Sequence, residues 1–243
     1  MTPASTIKRV LSASFLHRWL MLIFAIPIVI WTVSGSYFVL FDIGFIRSDH
    51  VTAKVQQINT NQLQHPIAKV YQAYPSARSI SLVSQLNQAI YQVTLADKKL
   101  RIDGQSGEVL PLLTHEQARQ IAQQYQHETA ISPSAKLSSV TLIETTAPAE
   151  LAARHLPVWR VEFDDISGST LYVSAQSGDV VTYRHEYWRW FDLFWKWHIM
   201  DYDDGASIDN SLLFYSAAGS LVAVFSGFIL VWQRRKRYVE CAR

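Results

Sequence analysis

The chain has 243 residues, with 22 Lys plus Arg against 20 Asp plus Glu, and only 17% of its residues are charged, below the roughly 25% usual in soluble domains. The deficit is concentrated in two uncharged runs, 23 residues from Trp19 to Phe41 and 24 from Asn210 to Gln233. Each exceeds the about 20 residues that a bilayer-spanning helix needs, which excludes a fully soluble enzyme.

In chain order, residues 1–18 form a basic arm carrying Lys8, Arg9 and Arg18 with no acid. The first predicted span follows at 19–41. Its apolar stretch is longer than the core of a signal peptide and ends in Tyr37, Phe38 and Phe41, which points to an uncleaved signal anchor. The second span, 210–233, is followed by a tail, 234–243, with five bases against Glu240. Everything between Arg18 and Arg234 holds 14 bases and 19 acids. Basic flanks stay inside, so both termini are expected in the cytoplasm and the intervening segment outside the inner membrane of a bacterium, in the periplasm. The basic tail is a topology signal, and no nucleic-acid partner is expected. The one cysteine, Cys241, lies in that tail, so the exported segment has no disulfide, no Cys-based metal site and no Cys-x-x-Cys-His haem attachment.

The exported segment, 42–182, contains two stretches that resemble each other. Ile90 to Pro111 reads IYQVTLADKKLRIDGQSGEVLP and Val158 to Val181 reads VWRVEFDDISGSTLYVSAQSGDVV. Each alternates like a strand, turns through polar residues and alternates again, a hairpin signature. Both close on Gln-Ser-Gly-acid-Val, with Gly107 and Gly178 in matching places, which makes them a repeat. Thr114 and Gln117 form a capping box ahead of a helix that places Ala118, Ile121, Ala122 and Tyr125 on one face. An earlier helix is expected to align Leu63, Ile67, Val70 and Tyr74, with Pro66 in its first turn. The unit is helix then hairpin, at about 60–111 and 114–182, with an extra strand near Ser139 to Ile143: an α+β module with antiparallel sheet.

The helix plus DGQSGEVLP hairpin resembles the PepSY domain, and LHRWL at the first span with WHIMDYDDG before the second resembles the PepSY-associated transmembrane family. That resemblance covers nearly the whole chain. It implies a membrane protein with two transmembrane helices flanking an extracytoplasmic PepSY-like domain, and it implies kinship with haem-containing ferric and ferric-siderophore reductases.

His17 stands two residues before the first uncharged run, beside Arg18 and Trp19. Arg18 and Trp19 suffice as interfacial anchors, and the imidazole adds a nitrogen able to bind haem b iron without any Cys. His198 lies in the aromatic stretch 183–209, where Trp188, Phe191, Trp195, His198 and Tyr202 follow helical steps of three and four. An amphipathic helix lying in the membrane interface explains the tryptophans; flat apolar walls around an imidazole also suit a porphyrin. The resemblance singles out both histidines as axial ligands, and His50 and His185 are weaker candidates to pair with His198. A span of 23 residues is about 35 Å long at 1.5 Å per residue, so His17 and His198 do not share one iron. His17 is the one histidine expected on the inner side, so two-histidine ligation there requires a homodimer. Gly219, Ala223 and Gly227 recur every four residues beside Ser216 and Ser220, a stripe that packs helices either between chains or within one. Pro27 implies a kink, and Ser34, Gly35 and Ser36 a place of close approach.

Asp201, Asp203 and Asp204 are either a helix-ending acidic loop or hard oxygen ligands for ferric iron. No dinucleotide fingerprint, P-loop, HExxH or G-x-S-x-G occurs, so electrons are expected from quinol or a reductase partner. The expected function is electron transfer by haem b, one or two per dimer, to ferric iron or a ferric chelate in support of iron uptake. The alternative is a non-enzymatic, membrane-anchored PepSY module that binds a peptide or protein partner.

Overall fold

The computed structural model describes residues 13–49, 51, 57–126 and 136–241. Lys8, Arg9, His50 and His127 lie outside the described residues. In chain order the elements are α1 (Ala13–Leu40), α2 (Ile43–Arg47), α3 (Ile67–Ala73), β1 (Ser79–Gln85), β2 (Gln88–Thr94), β3 (Lys99–Asp103), α4 (His115–Gln126), β4 (Lys136–Ile143), β5 (Val158–Asp164), β6 (Thr170–Ser174), β7 (Val180–Arg184), α5 (Glu186–Ile199) and α6 (Ser211–Cys241). Two long apolar helices thus stand at the two ends of the described chain, flanking two small antiparallel sheets with short helices. The chain forms two compact units, one from its ends, 1–42 with 190–243, and one from 43–189.

In the unit built from the chain ends, α1 and α6 are long and apolar enough to cross a membrane. The hydroxyls within α1 fold back onto the helix: Thr32 donates to the Ile28 carbonyl, Ser34 to Ile30 and Ser36 to Thr32. Such back-bonding satisfies a hydroxyl on an apolar helix without a water partner. Pro27 lies inside α1, which continues on both sides. A Cβ on Gly35 would meet nothing within 4 Å, so Gly35 is not the close approach expected of it. Helix α6 runs through Arg234 and Arg235, so the first part of the basic tail prolongs the helix.

The unit at 43–189 is two versions of one design. β1-β2-β3 form one antiparallel sheet and β4-β5-β6-β7 another, each in sequential order. β2 and β3 correspond to β5 and β6, the two hairpins anticipated from sequence. The strand expected as an extra, β4, is the counterpart of β1, which the sequence reading does not find; each repeat is a helix followed by a meander. The endings also match. Gly107 and Gly178 adopt φ of +79° and +73°, and their N–H groups donate to Asp103 and Ser174 carbonyls, both at 2.9 Å. The left-handed conformation costs a residue with a Cβ roughly 1–2 kcal/mol, which is why glycine recurs there.

Each sheet buries one face under its helix. The capping box at α4 forms as anticipated: Thr114 N–H donates to Gln117 Oε1 at 3.0 Å and Gln117 N–H to Thr114 Oγ1 at 3.3 Å. Ala118, Ile121 and Ala122 are buried with Trp159, Val161, Phe163, Leu171 and Val173, and Tyr125 packs against them. In the first repeat α3 is short and buries Val70 against Tyr91, Val93 and Ile102. Leu63 and Tyr74 join that core from outside the helix, and Ile67 is exposed, so the expected face is only partly formed by helical residues.

The repeats meet at their Gln-Ser-Gly endings. Gln85 and Gln92 each donate to the Ser177 carbonyl, and Asp179 accepts from Gln92 at 2.6 Å and Lys99 at 2.8 Å. Arg101, 3% exposed, donates to the Gln176 carbonyl at 3.2 Å, to Gln85 Oε1 at 2.9 Å and to the Pro111 carbonyl. A second polar knot fixes the first turn of α5. Arg189 pairs with Glu150 at 2.8 Å and with Glu186 at 2.8 Å, and donates to Gly168 O and Thr170 Oγ1. Tyr172 donates to Glu150 at 2.6 Å. Burial alone would raise the Glu150 carboxyl, but the hydrogen bonds from Arg189 and Tyr172 and the charges of Arg189 and Arg160 outweigh it and hold the group below its ordinary value.

A Cβ at Gly178 would lie 1.9 Å from the Gln85 amide nitrogen. Gly178→Ala is expected to cost about 1–3 kcal/mol, from left-handed strain and overpacking together, read as a lowered thermal midpoint of the full chain. A depressed carboxyl contributes stability above its unfolded pKa and loses it as pH falls through the folded value. Thermal midpoints measured downward from neutral pH should therefore fall less steeply in Glu150→Gln, which lacks this acid-linked loss, than in the unaltered chain.

Candidate functional site

His17 and His198 both belong to the unit formed by the chain ends, and each is held by a neighbouring helix. The seam between α1 and α6 is made of small residues. Ser216, Ser220, Ala223 and Ser226 are buried along α6. A Cβ on Gly219 would lie 1.9 Å from Phe24 Cζ, and one on Gly227 3.1 Å from His17 Cε1. The stripe seen as a possible dimer surface is thus taken up by packing within one chain.

Closeness of the two helices puts His17 against the α6 backbone. Its Nδ1 lies 2.9 Å from Ser226 Oγ and 3.2 Å from the Ala223 carbonyl. Ser226 sends its own proton to that carbonyl at 2.7 Å, so both partners accept from the ring and Nδ1 carries the hydrogen. An open groove of about 430 Å³ lies beside the ring, lined by Val224, Gly227, Phe228, Leu230, Val231 and Arg234.

His198 repeats the arrangement on α5. Its Nδ1 lies 2.7 Å from Ser34 Oγ, and Ser34, fully buried, gives its proton to the Ile30 carbonyl at 2.6 Å. With the Ser34 proton directed to Ile30, Oγ is left as an acceptor, the assignment under which the ring donates from Nδ1 here as well. Among the described residues neither His17 nor His198 has a hydrogen-bond partner at Nε2. Burial pushes the His198 imidazole below its ordinary pKa, favouring the neutral ring.

Helix α5 reaches this position by running antiparallel to the end of α1. Phe191 and Trp195 meet Phe38, Phe194 meets Tyr37, and Phe38 sets its edge on His198 at 5.4 Å. Trp31 Nε1 donates to the His198 carbonyl at 2.7 Å. The shared face of Phe191, Trp195 and His198 is as expected from their spacing, but it lies along another helix. Tyr202 leaves that face, because α5 ends at Ile199 and Met200 turns to φ +53°. Asn210 then caps α6, accepting from Leu213 N–H at 2.8 Å while donating to the Ile199 carbonyl at 2.9 Å. Hence α6 begins beside the end of α5, near Trp31, and α5 covers the last turns of α1. Ser34 and His17 are 17 residues apart on α1, about 26 Å along its axis, which keeps the two imidazoles on separate centres.

The other candidates are placed differently. His185 is fully buried in the unit at 43–189. Its Nδ1 accepts from Trp188 N–H and its Nε2 donates to the Phe45 carbonyl, both at 3.3 Å, so both ring nitrogens are engaged. His50 is outside the described residues. The acidic loop uses its carboxylates on its own backbone: Asp201 accepts from Ser207 N–H at 2.9 Å and Asp203 N–H at 3.3 Å, and Asp204 from Ala206 N–H at 2.9 Å. The Ser207 hydrogen bond chiefly holds the Asp201 carboxyl below its ordinary value. Among the described residues no three His, Cys, Asp or Glu side chains converge as a metal site.

Comparison with protein-family models, with curated proteins and with solved structures finds no significant match. The sequence reading values Ser34 only as a small residue and gives Ser226 no role. A hydroxyl in an uncharged run is the signal that points to them, but its pairing with a distant histidine needs the helix register. Ser34→Ala should release the His198 imidazole from its Nδ1 contact at a cost of about 1 kcal/mol, whereas in Ser226→Ala the Ala223 carbonyl remains as an acceptor for His17 Nδ1. Nitrogen-15 spectra of histidine-labelled protein without added cofactor should therefore show a mixed tautomer signal at His198 in Ser34→Ala and an unchanged one at His17 in Ser226→Ala.

Proposed function

We propose that the chain is a two-span membrane protein of the PepSY-associated transmembrane type that holds haem b and passes electrons to ferric iron or a ferric chelate. The observation that carries this reading is the matched pair of histidines, each with Nδ1 within hydrogen-bond distance of a serine that also reaches a helix carbonyl. Outer hydrogen bonds of this kind fix the tautomer and ring plane of metal-binding histidines and raise their basicity. Each ring has its contacts at Nδ1 and leaves Nε2 without a hydrogen-bond partner among the described residues, and an imidazole nitrogen so placed is the type an axial haem ligand needs.

On this reading α1 and α6 cross the bacterial inner membrane, both termini face the cytoplasm and the repeat unit faces the periplasm. The basic flanks support that orientation. Bound haem would supply one-electron chemistry. The chain's own part is to hold the rings, cover the His198 ring with Phe38, Phe191 and Trp195, and present the apolar Val224, Phe228 and Val231 together with Arg234 beside His17. His17 has no second histidine on its side of the chain, so a homodimer would complete two-histidine ligation there. With both His185 ring nitrogens bonded to backbone groups, the second ligand for His198 would be its symmetry mate or His50, and single axial ligation is the other arrangement. Electrons arrive from quinol or a cytoplasmic reductase, since the sequence lacks a nicotinamide or flavin motif of its own.

Purified chain in detergent, supplied with haem, should show a Soret band and an α band that sharpens with dithionite. His17→Ala and His198→Ala should each lower the haem-to-chain ratio, and Ser34→Ala should weaken haem retention about tenfold or more without abolishing it. A preparation that stays colourless after haem supplementation would remove this reading and leave the tethered module that binds a peptide or protein partner. Full haem content in both histidine variants would move the ligands elsewhere.

A further inference from the structure

The junction of the two repeats carries a second site, unrelated to the two membrane-helix histidines. A hollow of about 310 Å³ lies there, near the lower end of the roughly 300–1,000 Å³ typical of small-molecule pockets. Its cations come from two different turns. The β2–β3 turn of the first repeat brings Lys98 and Lys99, and the turn before β5 in the second repeat brings Arg154 and His155. Two acids, Asp97 and Asp179, also border it.

These charges do not simply cancel. Asp179 is committed: one oxygen takes Lys99 at 2.8 Å and the other takes the Gln92 amide at 2.6 Å. Lys98 and Arg154 have no ion-pair partner among the described residues. Asp97 offsets one of them, and protonation of His155 adds another positive charge. The local field is visible at that ring, whose pKa is lowered first by burial and then by the charges of Arg154 and Lys99. Ser174, Gln176 and Ser177 add hydroxyl and amide groups to the lining.

We propose that this hollow binds a small oxyanion with two or more acidic groups, a polycarboxylate or a phosphate. Cations held on separate turns from the two repeats suit a ligand that offers an acidic group to each. Such a ligand would tie the first repeat to the second beside the contacts of Asp179. It would also reverse the field at His155, so the imidazole would hold its proton to higher pH when the site is filled.

The test uses the full chain in detergent and two probes, citrate and orthophosphate, followed by titration calorimetry. Saturable binding of citrate identifies a polycarboxylate site and saturable binding of orthophosphate alone a phosphate site. With either probe, the double variant Lys98→Gln/Arg154→Gln should bind about tenfold or more weakly, with its thermal midpoint unchanged. The His155 ring, followed by NMR and identified by its loss in His155→Gln, should titrate at higher pH in saturating probe. Absence of saturable binding of either probe up to about 10 mM, or equal affinity in the double variant, overturns the proposal. The histidines at α1 and α5 take no part in this measurement, so its failure leaves the haem reading untouched.

Discussion

An imidazole set beside a long apolar helix must send its N–H to something, because an unmade hydrogen bond in such a place costs about 1–3 kcal/mol. At both histidines the solution is a serine on the facing helix. That serine is itself tied to a carbonyl three or four residues earlier, so the ring and the helix backbone are joined through one hydroxyl. The geometry of each ring is then set by helix packing. At His17 the packing needs Gly219 and Gly227, which let α6 come close enough for Ser226 to reach. At His198 it needs the aromatic contacts of α5 with Phe38 and Tyr37. Each ring is therefore only as well placed as the seam behind it.

Trp31, Ser34, Tyr37 and Phe38 of α1 meet α5, while His17 and Phe24 meet α6. One helix thus serves two partners in succession, with Trp31 and Asn210 joining the handover. Trp31 holds the His198 carbonyl and Asn210 the Ile199 carbonyl, so the last turn of α5 has side-chain donors for carbonyls that lack an intrahelical partner. The aromatic density of α5, which in isolation suggests a helix lying in the membrane interface, serves helix packing over Phe191, Phe194 and Trp195.

Much of the architecture was legible because it is written in local chemistry. The two long apolar helices follow from uncharged runs, α4 from a reciprocal Thr114–Gln117 cap, and the repeat from glycines that only a left-handed turn demands. β1 was missed although it begins with the alternation Ser79-Ile80-Ser81-Leu82, whose Ile80 and Leu82 pack on the first core; it is a short edge strand, and Val83 followed by Ser84 and Gln85 breaks the pattern after four residues. Its absence from the sequence reading made β4 look like an addition. At the candidate site the histidines were legible as residues out of place, but Ser226 was not, since nothing in its own neighbourhood tells that residue 17 will stand opposite. His185 was a weaker candidate than His198 in sequence, and it differs from it in context, with both nitrogens bound to backbone groups.

The buried guanidinium of Arg101 has a consequence for how the repeats came to work as one body. Its hydrogen-bond partners are neutral oxygens, and one of them, the Gln176 carbonyl, belongs to the other repeat. Separating the halves would strip that oxygen away and open a cation to water in the middle of a former contact. Despite their shared pattern, the two meanders are not interchangeable beads. Divergence has made the first half dependent on the second, and a fragment ending after Pro111 would carry a charge whose burial was arranged by residues it no longer has.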